Sequence, residues 1–290
     1  MKEGIQLIRF DWAIKRLLRD KANFVVLEGF LSVLLNEKVT INRILSSQSN
    51  QESDSDKYND VDILVENSKG ELVIVEVQTT KEHDYFHRIL YGASKVITEY
   101  IDKGDVYKKV RKVISITVAY FDLGQGQDYV YHGTTIFKGL HKGDVLTLSE
   151  KQRELYDKTH VHEIYPEFWI IKAGLFDEDK VYDKLDEWIY FLKTGRVLES
   201  FTAPGIPEAV DRLDWMQLSR EERMAYDTYM ERQRRIASYI ETEMEDIKDA
   251  IKKERHETKI ETAREFKRLG VSTEIIQQAT GLTKDQIEAL

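Results

Sequence analysis

The stretch that decides the fold runs Asp60-Val-Asp-Ile-Leu-Val-Glu-Asn-Ser-Lys-Gly-Glu-Leu-Val-Ile-Val-Glu-Val-Gln78. Its two runs of β-branched residues flank Ser68-Lys69-Gly70, and such runs favour β-strands. A three-residue loop that ends in glycine is a common hairpin connection, because its last position needs a positive φ. The stretch therefore predicts a β-hairpin in which Asn67 pairs with Glu71.

This register divides the hairpin into two faces of different chemistry. One face is apolar and consists of three opposed pairs, Val61 with Val77, Ile63 with Val75, and Val65 with Val73. The other face carries Leu64 opposite Ile74, Asp62 opposite Glu76, and Asp60 opposite Gln78. Because a slip of one residue would exchange the faces, the apolar pairs fix the predicted register.

Asp62 and Glu76 are the unusual pair on the second face. Carboxylates directly opposite each other repel, and Leu64 and Ile74 beside them indicate that this face is covered as well. Buried like charges need a compensating cation, and Mg²⁺ binds one or two carboxylates while keeping several waters. Gln78 could orient a water or contact a phosphate, although its amide cannot act as a base. The alternative is that both acids lie on a solvated face beside lysines.

The rest of the first 200 residues alternates helical and strand patterns. Helices are predicted over 10–36 and 85–101, and strands over 39–44, 113–119 and 129–137. A strand EFWIIK and an amphipathic helix KVYDKLDEWIYFLK follow, whereas 46–60 is polar and predicts a loop. This order predicts an α/β fold with a mixed sheet.

Pro204 and Pro207 mark a predicted boundary between a domain of residues 1–203 and a helical region of residues 204–290. Residues 219–269 lack Pro and Gly and predict one long helix that Gly270 ends. The 4-3 spacing of a/d residues predicts pairing with another helix, either within the chain or in a homodimer or higher homo-oligomer. These residues are Tyr226, Met230, Gln233, Ala237, Ile240, Met244, Ile247 and Ile251. A short helix pair closes the sequence.

Composition limits the possible partners and compartments. The net charge of -9 argues against a nucleic-acid partner, but the acidic excess lies beyond residue 112, and two basic clusters precede that point. The chain has 0 cysteines, which excludes zinc-thiolate sites and a cysteine nucleophile. We expect a cytoplasmic protein without a membrane span, because no apolar segment reaches the length that a span requires.

A strand Asp followed by a hairpin and Glu-x-Gln resembles the PD-(D/E)XK nuclease motif in its D…ExQ variant. More specifically, the chain resembles the Rpn family of recombination-promoting nucleases, which are also labelled transposases. The ordered stretches that carry the resemblance are FDWAIKRLL, NDVDILVEN, VIVEVQ, HRILYGASK and IYPEFWIIK with LDEWIYFLK, which together cover most of residues 10–200. The resemblance implies a restriction-endonuclease-like mixed sheet flanked by helices, followed here by a long C-terminal helical region.

The resemblance also implies roles for the hairpin residues and for a glutamate on the first helix. Asp62 and Glu76 would bind the metal, Mg²⁺ or alternatively Mn²⁺, and Gln78 would take the place of the usual Lys. Glu28 is the candidate for the helix glutamate that often completes such sites, or else is a surface residue. Loss of the lysine removes a cation from the transition state, and Lys95 could substitute for it.

Arg88 and Tyr91 lie in a segment that the family shares, at i and i+3 of one predicted helix. With Lys95 they are the candidates for nucleic-acid contact, since the arginine fork matches phosphate oxygens. The alternative is that they pack against the sheet.

Two hypotheses follow from these residues. The first is a Mg²⁺-dependent DNA endonuclease, linked by resemblance to recombination, mobile elements or defence, with RNA as an open alternative substrate. The second is a catalytically weak or inactive binding or assembly protein on a nuclease fold. The first hypothesis predicts an acidic, metal-sized pocket shared by Asp62 and Glu76. If these carboxylates point apart or are capped by Lys or Arg, the enzyme hypothesis fails.

Overall fold

The computed structural model describes residues 5–16, 21–45, 62–214 and 218–290. Its central sheet has six strands in the order β2-β3-β4-β5-β7-β6, and β1 pairs separately with β8. The strands are β1 (Ile5–Gln6), β2 (Ile41–Leu45), β3 (Ile63–Asn67), β4 (Leu72–Gln78), β5 (Val113–Ala119), β6 (Val130–Gly133), β7 (Glu167–Lys172) and β8 (Arg196–Val197). Parallel pairing joins β4 to β5 and β5 to β7, whereas the other neighbours are antiparallel. The predicted mixed sheet is thus confirmed.

The β3–β4 hairpin has the predicted register. Ile63 lies opposite Val75, and Asn67 donates its backbone N–H to the Glu71 carbonyl at 3.1 Å. Gly70 adopts a φ of 76°, as the last position of the three-residue loop requires. The predicted pairings of Asp60 and Val61, and the predicted loop 46–60, lie outside the described residues.

The helices alternate with these strands along the chain. They are α1 (Phe10–Arg16), α2 (Phe24–Leu34), α3 (Tyr85–Glu99), α4 (Glu150–Tyr156), α5 (Lys184–Thr194), α6 (Ile206–Leu213), α7 (Arg220–Arg268), α8 (Thr273–Thr280) and α9 (Lys284–Glu288). The prediction of one helix over 10–36 was wrong. A 3-10 turn at Lys21–Asn23 precedes α2, and Asn23, at φ −104° and ψ 2°, does not continue helical geometry into α2.

Helix α3 covers the sheet face that carries the Asp62–Glu76 pair. Its Ala93 and Val96 pack with Leu64, Ile74 and their neighbours in one buried cluster. The opposite-face residues of the hairpin, such as Val65 and Val75, are equally buried. Both faces of the hairpin are therefore covered, as the apolar residues beside the acids predicted.

Helices α1, α2 and α5 pack on one another through large aromatic side chains. Phe10, Phe30, Trp188 and Phe191 form a cluster of edge-on and tilted ring contacts. At Gly29 a Cβ atom would lie 2.3 Å from the Gly205 Cα, so α2 and the start of α6 meet backbone to backbone. Only glycine permits this approach.

The chain divides into two compact units, Met1–Arg220 and Glu221–Leu290. In the second unit, the end of α7 packs with α8 and α9 around Ala263, Ile276 and Ile287. Gly270, with a φ of 78°, follows α7 as predicted. The functional division into residues 1–203 and 204–290 stays a prediction. Each described helix is too short or too polar to cross a lipid bilayer.

Candidate active site

Asp62 and Glu76 meet at the open end of the hairpin. Glu76 lies on β4 and is 6% exposed, whereas Asp62 directly precedes β3. The Asp62 Oδ2 accepts a hydrogen bond from the Val77 backbone N–H at 2.7 Å. The Asp62 carboxylate thus binds a backbone group of β4 just beyond the Ile63–Val75 pair, which holds it beside the Glu76–Val77 segment.

The environment of Glu76 disfavours its negative charge. Burial raises the pKa of Glu76, the Arg88 guanidinium opposes this effect, and the Asp62 carboxylate raises the pKa further. The Glu76 Oε1 lies 2.7 Å from the Arg88 Nη2, but no donor among the described residues meets it in hydrogen-bonding geometry. The nearby Tyr85 hydroxyl lowers the same pKa, and it is buried with no partner in strict hydrogen-bonding geometry among the described residues. Buried polar atoms of this kind mark places where a ligand or ion can bind.

Arg88 on α3 bridges two glutamates. Its Nη2 pairs with Glu76, and its Nη1 donates to both carboxylate oxygens of Glu82, at 2.9 and 3.2 Å. Burial lowers the pKa of Arg88, but Glu76 and Glu82 outweigh this effect and raise it. Arg88 therefore caps Glu76 in this structure. By the criterion set from sequence, this contact counts against the enzyme hypothesis and in favour of a weak or inactive site.

Glu82 also fixes Gln78. The Gln78 Nε2 donates to the Glu82 Oε1 at 2.8 Å and to the Thr80 carbonyl at 3.1 Å. This orients the amide, since both donor contacts use the nitrogen. Sequence reasoning missed Glu82, which lies in the connection between β4 and α3. Its spacing four residues after Gln78 and six before Arg88 is visible, but without the path of the connection it carries no signal.

Glu28 does not join the carboxylate pair. Its Oε1 accepts the Ile41 backbone N–H at 2.7 Å, and Ile41 lies opposite Asn67, at the far end of β3 from Asp62. Five residues of strand separate the two ends, which is about 17 Å. The prediction of Glu28 as a completing acid therefore needs correction, since Glu28 binds the start of β2 instead.

Arg88, Tyr91 and Lys95 lie on one flank of α3, because i, i+3 and i+7 fall on one helical stripe. Tyr91 is 42% exposed, and Lys95 makes a loose ion pair with Glu99 at 3.9 Å. Lys95 lies two helical turns, about 10 Å, along α3 from Arg88, so it does not stand in for the missing lysine at Glu76.

A buried lysine that sequence reasoning missed does lie on the same sheet face. Lys172 on β7 is 1% exposed and pairs across the sheet with Ala119, which in turn pairs with Gln78. It is thus two strands, about 10 Å, from Gln78. Its Nζ binds the Asp122 Oδ1 at 2.6 Å, so it stabilises a neighbouring loop.

A family comparison places this geometry in context. Residues 8–243 match the sequence model of a family described as PD-(D/E)XK nuclease family transposase. The chain belongs to this family. The match spans the whole six-stranded sheet and ends within α7, so α8 and α9 lie beyond it. No curated protein and no solved structure matched the chain.

Membership in the PD-(D/E)XK nuclease family supports a nuclease or transposase-like role and a divalent metal in general terms. No group of three or more acidic or His side chains suited to a metal is found in the described ranges. A pair still fits, because Mg²⁺ needs only one or two carboxylates and takes its other ligands from water and substrate. The Glu76 oxygen without a hydrogen bond is the observation that agrees with such an ion.

Proposed function

We propose that the chain is a metal-dependent endonuclease that hydrolyses DNA phosphodiester bonds, with Mg²⁺ as the ion and Mn²⁺ as its substitute. The observation that carries the proposal is the buried Glu76 held beside Asp62 with unused acceptor capacity. Structural glutamates in a sheet are normally fully paired, and strongly perturbed acids concentrate at functional sites. The family match supports the same chemistry.

Asp62 and Glu76 would hold the ion, which when bound supplies a hydroxide nucleophile and stabilises charge on the phosphoryl group. Gln78 takes the motif's lysine position. Its nitrogen is held by Glu82 and Thr80, and its carbonyl oxygen has no partner among the described residues, so this oxygen is placed to orient a water. Glu82 positions Gln78 and Arg88.

Arg88 acts in this proposal as a displaceable counter-ion. A metal ion and the Arg88 guanidinium both neutralise Glu76, and one removes the need for the other. Since Nη1 is already bound to Glu82, Nη2 can leave Glu76 while the side chain stays anchored. The released Nη2 can then bind a phosphate, together with Tyr91 and Lys95 on the same flank.

The second candidate is a weak or inactive nuclease-fold protein that binds or assembles. Two observations favour it: Arg88 caps Glu76, and Gln78 replaces a cation. In this case Arg88 is a permanent partner of Glu76 and metal does not bind.

The setting and partners are part of the proposal. We propose a role in recombination, mobile elements or defence, a cytoplasmic location, and assembly into a homodimer or higher homo-oligomer through the C-terminal helices. DNA is the proposed substrate, and cleavage of RNA is an outcome to be tested with the same metals.

The deciding experiment is nicking of supercoiled plasmid and of a structured RNA with Mg²⁺, Mn²⁺ or EDTA. Asp62→Ala and Glu76→Ala are compared with wild type, and Asp102→Ala is the control that removes an exposed carboxylate. Metal-dependent cleavage that only the first two variants lose supports the proposal. No cleavage with any metal favours the second candidate, and cleavage that survives both substitutions shows that the site lies elsewhere.

A further inference from the structure

Helix α7 carries an apolar seam whose central residues are exposed. The helix has 49 residues, and of its described side chains only Ala263, near the C-terminal end, is buried. Ile240, Met244, Ile247 and Ile251 follow the 4-3 spacing and are 44–56% exposed. A contiguous apolar stripe of this length on an exposed helix indicates a helical partner.

Charges beside the seam alternate in sign over four heptads. Counting Ile240 and Ile247 as d positions places Asp227, Arg234, Glu241 and Lys248 at the successive e positions. Their signs run minus, plus, minus, plus. All four are exposed, and none forms an ion pair within the described part of the chain. Residues at e and g set the choice and orientation of a coiled-coil partner.

This series of charges is complementary to the same series read in the opposite direction. In an antiparallel pair the e positions of one helix face those of the other, so the first charge meets the fourth and the second meets the third. Asp227 then faces Lys248 of the second copy, and Arg234 faces Glu241. The two-fold symmetry repeats each contact, which gives four opposite-charge pairs.

In the same alignment, each a residue of one helix packs against a d residue of the other along the seam. Its layers are Ile251 with Tyr226, Ile247 with Met230, Met244 with Gln233, and Ile240 with Ala237, each formed twice. Sliding the helices by one heptad would instead place Arg234 against Lys248 and Glu241 against its own copy. These like charges disfavour the shifted register.

A parallel pair gains no such advantage. Parallel helices bring each g residue near the following e residue of the partner, so Glu243 would meet Lys248 but Glu222 would meet Asp227. One attraction and one repulsion cancel. A pairing with another helix of the same chain also lacks a suitable candidate among the described residues, because the next longest helix, α3, has 15 residues.

We propose that α7 binds a second copy of this chain as an antiparallel coiled coil, with Ala237 opposite Ile240. The partner is thus set by the sign sequence of the e positions and the seam together. This inference rests on the assembly through the C-terminal helices proposed above and specifies its orientation and register. It uses no residue of the candidate active site, so it can fail while the nuclease proposal stands.

The first test is charge exchange in the full chain, followed by sedimentation equilibrium. Arg234→Glu replaces two attractions with two repulsions, so the dimer dissociation constant should rise about tenfold. The double variant Arg234→Glu/Glu241→Arg should return to within about threefold of wild type. A monomeric wild type, or a double variant that dimerises no more tightly than Arg234→Glu, overturns the proposal.

The second test fixes the orientation and uses the natural absence of cysteine. Met230→Cys and Ile247→Cys are prepared separately and oxidised alone or mixed. The antiparallel register predicts a disulfide-linked dimer only in the mixture, because identical cysteines at 247 lie about 25 Å apart. Cross-linking of Ile247→Cys alone would show a parallel pair and contradict the antiparallel register. Circular dichroism checks that each variant is helical.

Discussion

Glu76 on β4 and Glu167 on β7 stand in the same sheet, and their side chains are 9% and 15% exposed. Burial raises the pKa of Glu167, but hydrogen bonds and the charge of Lys112 outweigh it and lower the pKa. The balance at Glu76 has the opposite sign, because burial and Asp62 together outweigh Arg88. The two glutamates thus differ in their partners more than in their exposure.

The partner sets explain the difference. The Glu167 Oε2 binds the Lys112 Nζ at 2.5 Å, and its Oε1 binds the His132 Nε2 at 2.8 Å and the Trp169 Nε1 at 2.9 Å. Both carboxylate oxygens of Glu167 therefore have partners within the sheet and its neighbouring residues. Glu76 has one misaligned cation and a second carboxylate beside it, so its charge is less well compensated than that of Glu167.

The largest expected effect separates the two glutamates by activity. Glu76→Gln should lower the rate of plasmid nicking by about a thousandfold, because the loss of a metal-binding carboxylate removes the nucleophile and charge stabilisation. Its melting temperature should stay the same or rise, since a buried charge is removed. Glu167→Gln is the matched control, with nicking within about threefold of wild type. Equal loss in both variants would erase the distinction.

The effect on stability should be larger for Glu167→Gln than for Glu76→Gln, the reverse of their effects on nicking. Glu167→Gln leaves Lys112 without its carboxylate, and we expect the free energy of unfolding to fall by about 2 kcal/mol. Urea unfolding of both variants at pH 7 measures this. A Glu76→Gln variant that loses as much stability as Glu167→Gln would show that Glu76 is a structural residue after all.

The pH dependence of that difference follows from the lowered pKa of Glu167. A carboxyl whose pKa falls on folding contributes stability above its unfolded pKa, ordinarily 4.5, and loses it as pH drops through the folded value. The gap in unfolding free energy between wild type and Glu167→Gln should therefore shrink as the pH falls from 5 to below 4.5. Urea titrations across this range test it, and a gap that widens on acidification contradicts the assignment.

Arg88 offers a test of whether Glu76 awaits another cation. Arg88→Met keeps most of the side-chain volume and removes the competing charge, so Mn²⁺ should bind about tenfold more tightly in the absence of nucleic acid. Electron paramagnetic resonance of free Mn²⁺ measures this directly. Asp62→Ala is the control that should abolish binding. Unchanged or weaker Mn²⁺ binding in Arg88→Met would favour the permanently capped site.

The contacts that could be predicted from the sequence are those between residues close together in the chain. The hairpin register and the meeting of Asp62 with Glu76 follow from alternation and a glycine-ended loop, all within 19 residues. Arg88 and Glu82 reach the same site through the path of the β4–α3 connection. Sequence periodicity says nothing about that path.

Glu28 shows the same limit from the opposite side. Its place on the polar side of α2 was visible, but its height along the sheet depends on the turn after α2. There the Ser32 hydroxyl accepts a hydrogen bond from the Val39 backbone N–H at 2.9 Å, and the Glu28 carboxylate accepts one from the Ile41 backbone N–H. The position of a residue in a helix predicts which side of the helix it lies on. A metal ligand must also lie at the right position along the neighbouring strands, which the helix pattern does not predict.

The smallest expected effect concerns Lys95, and it asks whether the flank of α3 that carries Arg88 binds phosphate. Lys112 serves the fold by pairing with Glu167, whereas Lys95 has only a 3.9 Å contact with Glu99 and shares its helix flank with Arg88. If this flank binds phosphate, Lys95→Ala should weaken DNA binding a few-fold and reduce the slope of log affinity against log salt by about one. Lys103→Ala removes an exposed lysine outside the flank and should leave the slope unchanged. Binding isotherms at several salt concentrations with metal omitted separate this contact from catalysis. Equal slopes for both variants would mean that Lys95, like Lys112, serves the fold rather than the substrate.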